Sequence, residues 1–263
     1  MKKQESLPGR RDFLHAAAAG VPLSLLGAEE LASAEKEIVV VDDSRPLRIV
    51  CVGAHPDDPE SGCGGTLARY AAAGHAVTVI YLTRGEAGIP GKSHEEAAAI
   101  RTAEAEAACK ILGGKSIFAG QIDGATEVTH RSAEVLARLL AEEKPDVVFT
   151  HWPIDTHFDH QAASMLTIRA YLASRPRCVL CFFEVNSRSQ TLGFMPTAYV
   201  DITATRDKKK QALFAHVSQG GERIYRDHHE VMETFRGREL GVAAAEAFVS
   251  LARDNRGGRL PGL

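Results

Sequence analysis

The chain has no large excess of charge: 31 lysines and arginines face 34 aspartates and glutamates across 263 residues, a net charge of −3. That excludes the basic footprint by which proteins bind nucleic acid. The run Lys208-Lys209-Lys210 reads as a solvated helix face. A disulfide framework is also lacking. The five cysteines, at 51, 63, 109, 178 and 181, follow no framework spacing, and Cys51 and Cys109 sit in apolar stretches. Cys178-Val179-Leu180-Cys181 has the spacing of a zinc knuckle but no second pair near it. On a strand, two residues three apart face opposite sides. No segment reaches the roughly 20 apolar residues of a membrane span, so no stable span is expected. With 44% hydrophobic and 25% charged residues, the composition is that of a soluble globular protein able to bury a full core. Nothing in it sets the oligomeric state.

The first 34 residues read as a segment apart. Arg10-Arg11 precedes Asp12-Phe13-Leu14, an alanine-rich apolar stretch follows from Ala16 to Leu26, and Ala32-Ser33-Ala34 offers a small-residue cleavage site. Basic, apolar and small segments in that order make a secretory signal, and the paired arginines resemble a twin-arginine address. The expectation is a mature chain beginning near Glu35 and exported to the periplasm or beyond. Residues 35–263 then form one domain, because strand and helix patterns alternate without a linker.

Apolar runs predict strands at Arg48–Gly53, Ala76–Leu82, Ser116–Phe118, Asp146–Thr150 and Cys178–Val185. Helices are predicted at Gly64–Ala73, Ser93–Leu112, His130–Glu143 and Asp159–Ala173. Alternation of this kind implies parallel pairing through right-handed crossovers. The fold class is therefore α/β, a Rossmann-like doubly wound sandwich with a mostly parallel sheet. In the common strand order the first and fourth strands are neighbours, and ligands collect at their carboxyl ends. A dinucleotide site would need Gly-x-Gly-x-x-Gly in the first turn. That turn is Gly53-Ala54-His55-Pro56-Asp57-Asp58, whose two acids would repel a pyrophosphate.

Two polar clusters follow the first and fourth strands. One is His55-Pro56-Asp57-Asp58-Pro59-Glu60; the other, His151 to His160, holds three histidines and two aspartates within ten residues. Imidazole with carboxylate suits zinc and similar divalent ions. Spare acids and histidines then remain to move protons, as a hydrolytic metal site requires.

At these residues the chain resembles the PIG-L (LmbE-like) family of zinc-dependent de-N-acetylases. Ala54-His55-Pro56-Asp57-Asp58 and His157-Phe158-Asp159-His160 match its two signatures, although Phe158 stands where many relatives carry proline. Leu82-Thr83-Arg84-Gly85-Glu86 and the segment Lys210 to Gln219 resemble its supporting motifs. The resemblance implies removal of an acetyl group from an N-acetylglucosamine-type sugar. It implies His55, Asp58 and His160 as ligands of Zn2+, with Fe2+ or Co2+ as alternatives. By the same resemblance Asp57 is the general base and His157 the group that stabilises the oxyanion and protonates the leaving amine. Asp159 is placed to orient His157 and hold it protonated. Arg84 is either a clamp on substrate oxygens or a surface loop residue. His151 and Asp155 either hold a ligand's orientation or contact substrate. A larger amide conjugate as substrate, or a non-catalytic metal- or sugar-binding role, is the alternative reading.

Overall fold

The computed structural model describes residues 41–173, 178–185, 190–251 and 259–263. The signal-like segment lies outside the described residues. So do parts of the chain at 174–177, 186–189 and 252–258.

Five strands are parallel: β1 (Arg48–Gly53), β2 (Ala76–Tyr81), β3 (Lys115–Phe118), β4 (Val147–His151) and β5 (Val179–Phe183). Their near-continuous apolar sequences fit a sheet buried on both sides. Alternate residues of β1 divide between two cores. Ile49 and Cys51 face one with Leu67, Tyr70 and Leu112, while Val50 and Val52 face the other with Leu136, Leu140 and Leu166. Helices α1 (Asp58–Ala72) and α2 (His94–Leu112) supply the first core; α3 (His130–Glu143) and α4 (Phe158–Ala173) supply the second. Cys178 and Cys181 fall into opposite cores, and all five cysteines are buried and outside any disulfide. Among the described residues no helix is long and apolar enough to cross a membrane.

The strand order is β3-β2-β1-β4-β5-β7-β6. β1 pairs β2 on one side and β4 on the other, so the chain reverses at the β1/β4 boundary. The two polar clusters therefore leave the sheet side by side.

Two features depart from the sequence reading. The sheet continues through β6 (Ala198–Asp201) and β7 (Ala245–Ser250), both paired antiparallel. Between them lie α5 (Arg206–Phe214), the short turn Val217–Gln219, α6 (Gly221–Ile224) and α7 (Glu230–Leu240). The first helix starts at Asp58 rather than Gly64, and it is broken at Cys63, where the backbone leaves helical geometry (φ −147°, ψ 17°). The predicted start thus coincides with the second half of a kinked helix. The glycines around the break permit close packing: Gly62 abuts the Phe183 ring, and a Cβ at Gly65 would lie 2.8 Å from Ile202.

The break also frees backbone amides. Gly65 and Thr66 donate to the two oxygens of Glu246 on β7, at 3.0 and 2.7 Å. Lys209 of α5, expected on a solvated face, is instead buried, with its Nζ 2.8 Å from Glu246 and 3.5 Å from Glu233. A buried ammonium is tolerated only when paired.

Candidate metal centre

Gly53 closes β1 where any Cβ would meet the Pro59 ring at 2.5 Å. The chain turns there through His55 to Asp57 into α1, whose proline suits the first helical turn. His151 ends β4, and α4 opens with Phe158, Asp159 and His160. His55, Asp58 and His160 each offer a ligand atom, all within 4.8 Å of one another, and all three residues are buried.

Individual distances are tighter. His160 Nε2 lies 3.3 Å from Asp58 Oδ1, and His55 Nδ1 lies 3.1 Å from Asp58 Oδ2. Tetrahedral ligands bound at about 2.0–2.1 Å stand about 3.3 Å apart, so two imidazoles and one carboxylate fit a zinc-sized ion. Burial disfavours charge on Asp58, but the adjacent His160 and His151 outweigh it and hold the carboxyl well below the usual range. Burial likewise opposes charge on His160, yet Asp58 and Asp155 raise it to about 9. The proton on His160 must leave when an ion enters.

The groups behind the ligands are specific. His55 Nε2 faces Asp159 Oδ2 at 3.0 Å and Asp123 Oδ1 at 3.1 Å. Asp159 also accepts from Gly124 N–H at 2.8 Å and Thr126 Oγ1 at 2.6 Å. Carboxylates on the far nitrogen fix a ligand imidazole's ring and tautomer. Asp155 does this for His160, with Oδ1 at 3.2 Å from Nδ1.

Three sequence expectations meet different geometry. The Asp159 carboxylate does not orient His157 but serves His55; only the Asp159 backbone N–H reaches His157, donating to Nδ1 at 3.2 Å. His157 is also not held protonated by a neighbouring acid. Burial and the cations at His55 and His160 lower its pKa. With Nδ1 accepting, Nε2 carries the proton of the neutral ring. His151, for which contact with substrate is one of two expectations, is instead buried behind the site, stacked on His160 with centroids 4.3 Å apart and accepting Ala54 N–H at 3.1 Å. Arg84 is exposed and donates to Thr102 Oγ1 at 2.9 Å.

The arginine at the site is Arg101, from the middle of α2. It lies 3.4 Å from Asp57 Oδ1 and also donates to Pro56 O. Burial pushes the Asp57 carboxyl up to about 6, Arg101 pulls it down, and Asp58 pushes it up. A cavity of about 450 Å³ opens over the cluster, lined among others by His55, Asp57, Asp58, Arg101, Asp123 and His157. Sites for small molecules have volumes of this order. Sequence motifs point to neither Arg101 nor Asp123. A lone arginine in an alanine- and glutamate-rich helix carries no signal, nor does one aspartate in a glycine-flanked turn. From the C-terminal motif, Gln219 reaches the cavity wall and donates to Gly88 O at 3.2 Å.

A buried His/Asp/His set with a further carboxylate beside it, paired to Arg101, at the switch point of a doubly wound sheet, defines a candidate catalytic metal centre. Comparisons with known proteins agree with that class. The sequence matches the PIG-L family, GlcNAc-PI de-N-acetylase, over residues 50–171. It is 30% identical to the diacetylchitobiose deacetylase of Thermococcus kodakarensis over 194 residues, which are 68% of this chain and 72% of that protein. It is 35% identical to the 1D-myo-inositol 2-acetamido-2-deoxy-alpha-D-glucopyranoside deacetylase of Actinosynnema mirum. That match takes in 56% of this chain and 62% of the relative's length. Among solved structures, the conserved protein TT1542 of Thermus thermophilus superposes with a TM-score of 0.69 at 33% identity, covering 82% of this chain and 96% of that one. The chain belongs to the PIG-L family.

Proposed function

We propose that this protein is a zinc-dependent hydrolase of carbon–nitrogen bonds other than peptide bonds, releasing acetate from an N-acetylglucosamine-type sugar. The observation that carries this reading is the placement of Asp57 and His157 on the cavity wall beside the His55–Asp58–His160 set, without either being needed to complete it. A site that only held an ion would have no use for both. The Thermococcus and Actinosynnema relatives, deacetylases by name, support the substrate class.

A bound zinc supplies Lewis-acid polarisation of the amide carbonyl. Asp57 takes a proton from the attacking water as its oxygen bonds the acetyl carbon. His157, with its proton on Nε2, donates a hydrogen bond to the developing oxyanion, and Asp57 passes the proton it took from water to the nitrogen as the C–N bond breaks. Acetate and a free amino sugar leave. Arg101 keeps Asp57 ionised and turned toward the reaction.

The test is acetate release from a panel of N-acetylated sugars, with the protein chelated and then reloaded with zinc, iron(II) or cobalt. Activity lost on chelation and restored by zinc is the expected result. Metal binding without acetate release from any sugar or larger N-acetyl conjugate would leave a binding protein.

The charge balance at Asp57 sets a pH dependence. Its pKa is raised to about 6, so the active, deprotonated form is present above pH 6 and lost as pH falls through it. Arg101 opposes that rise, so Arg101→Met removes a cation and moves the acid limb of kcat upward. A limb that stays in place would detach Arg101 from Asp57.

A further inference from the structure

Asp57 and Lys144 are the described non-glycine residues with positive φ. Lys144 closes α3, where a left-handed residue is ordinary. Asp57 stands at the opposite kind of position, the N-cap of α1, at φ 109° and ψ −29°. The N-caps of α2 and α3, Ser93 and Thr129, take the extended backbone usual there. Such a conformation persists only where its surroundings impose it.

One side chain meets the Asp57 backbone N–H: Glu60 Oε2, at 3.2 Å. Glu60 is wholly buried. Its other oxygen, Oε1, accepts from the Tyr81 hydroxyl and lies 3.4 Å from His216 Nε2, and Tyr81 and His216 are fully buried too. Tyr81 ends β2, while His216 precedes the turn whose Gln219 lines the cavity. Capping a helix does not require a carboxylate sunk in the core, where charge is costly. A carboxylate anchored from β2 and from the C-terminal segment can, however, hold a strained backbone that a surface cap could not.

We infer that Glu60, fixed by Tyr81 and His216, is a positioning residue that holds Asp57 in its left-handed conformation. The adjacent aspartates are thereby given different directions: Asp58 into the ligand set, Asp57 toward Arg101 and the cavity. Glu60 acts through the backbone and touches neither substrate nor ion. This inference rests on Asp57 being the base of the proposed deacetylation.

The experiment compares Glu60→Ala, Glu60→Gln and Tyr81→Phe in the zinc-loaded full chain. Glu60→Ala is expected to lower kcat on the order of 100-fold, the scale set by small misplacements of a reacting group, with KM and zinc content unchanged. Glu60→Gln keeps an oxygen for the Asp57 N–H and is expected to recover most of that loss. If Glu60→Ala does not fold, Tyr81→Phe, which loses only a hydroxyl, shows the same split between kcat and KM. A lower melting temperature with unchanged kcat in these variants would make Glu60 an ordinary cap and overturn the inference; so would equal loss of zinc. Exchange of the Asp57 amide proton, followed by NMR, reads the geometry without any assay of activity. It is expected to be slow in the wild type and fast in Glu60→Ala, so a failure of the deacetylase reading stays distinguishable from a failure of this one.

Discussion

Asp57→Asn will keep its metal and lose turnover, by about 10²–10⁴-fold if Asp57 is the general base. The substitution isolates one property. Asparagine matches aspartate in shape and, like it, tolerates positive φ better than most residues, so the turn held by Glu60 survives. It also leaves His55, Asp58 and His160, the three buried ligand candidates, untouched. Only the capacity to take a proton disappears. Asp58→Ala and His160→Ala should behave differently, losing the ion and the activity together. Metal content measured beside kcat separates the two classes. An Asp57→Asn protein working near the wild-type rate would end the base assignment.

That their motif and the second cluster each follow a buried strand is legible in the amino-acid sequence, whereas the different roles of the adjacent aspartates come only from the family resemblance. The pairing of β1 with β4 is equally legible. Strands buried on both faces read as continuous apolar runs, and the crossover rules leave few orders for them. The supports behind the site are legible only in part: Asp155, for which holding a ligand's orientation is one of two expectations, does lie 3.2 Å from His160 Nδ1. Asp159 and His157 are two residues apart, which suggests a pair, whereas at the start of α4 the Asp159 carboxylate turns to His55 across the crevice. Arg84 sits in a recognisable loop, but the cavity lies under α2 and takes Arg101 instead. Nor can local pattern place β7. The run Ala243-Ala244-Ala245-Glu246-Ala247 favours helix by propensity, and only pairing with β5 and β6 makes it a strand.

That concealed strand carries the second large expectation. Glu246→Ala should destabilise the fold by about 3–5 kcal/mol, the cost typical of leaving a buried charge without its partner. Lys209 would retain only Glu233, at 3.5 Å instead of the 2.8 Å it has to Glu246. The amides of Gly65 and Thr66, freed by the break at Cys63, would lose their acceptors as well. Such a loss is a large share of the roughly 5–15 kcal/mol that holds a typical domain together. Burial alone would depress the lysine, but Glu246 and Glu233 raise its pKa above 10.5. A group raised on folding stabilises fully below its unfolded value and fades only as pH climbs through its folded one. The stabilisation by this pair should therefore be flat from neutral pH to about 10 and weaken only in stronger alkali. Urea titrations of wild type and Glu246→Ala across that range measure it. A loss under about 1 kcal/mol, the scale of a surface pair, would mean that β7 is held to α1 by apolar packing alone. In that case the kink at Cys63, five residues beyond the candidate ligand Asp58, owes its shape to the glycines around it rather than to the carboxylate that caps it.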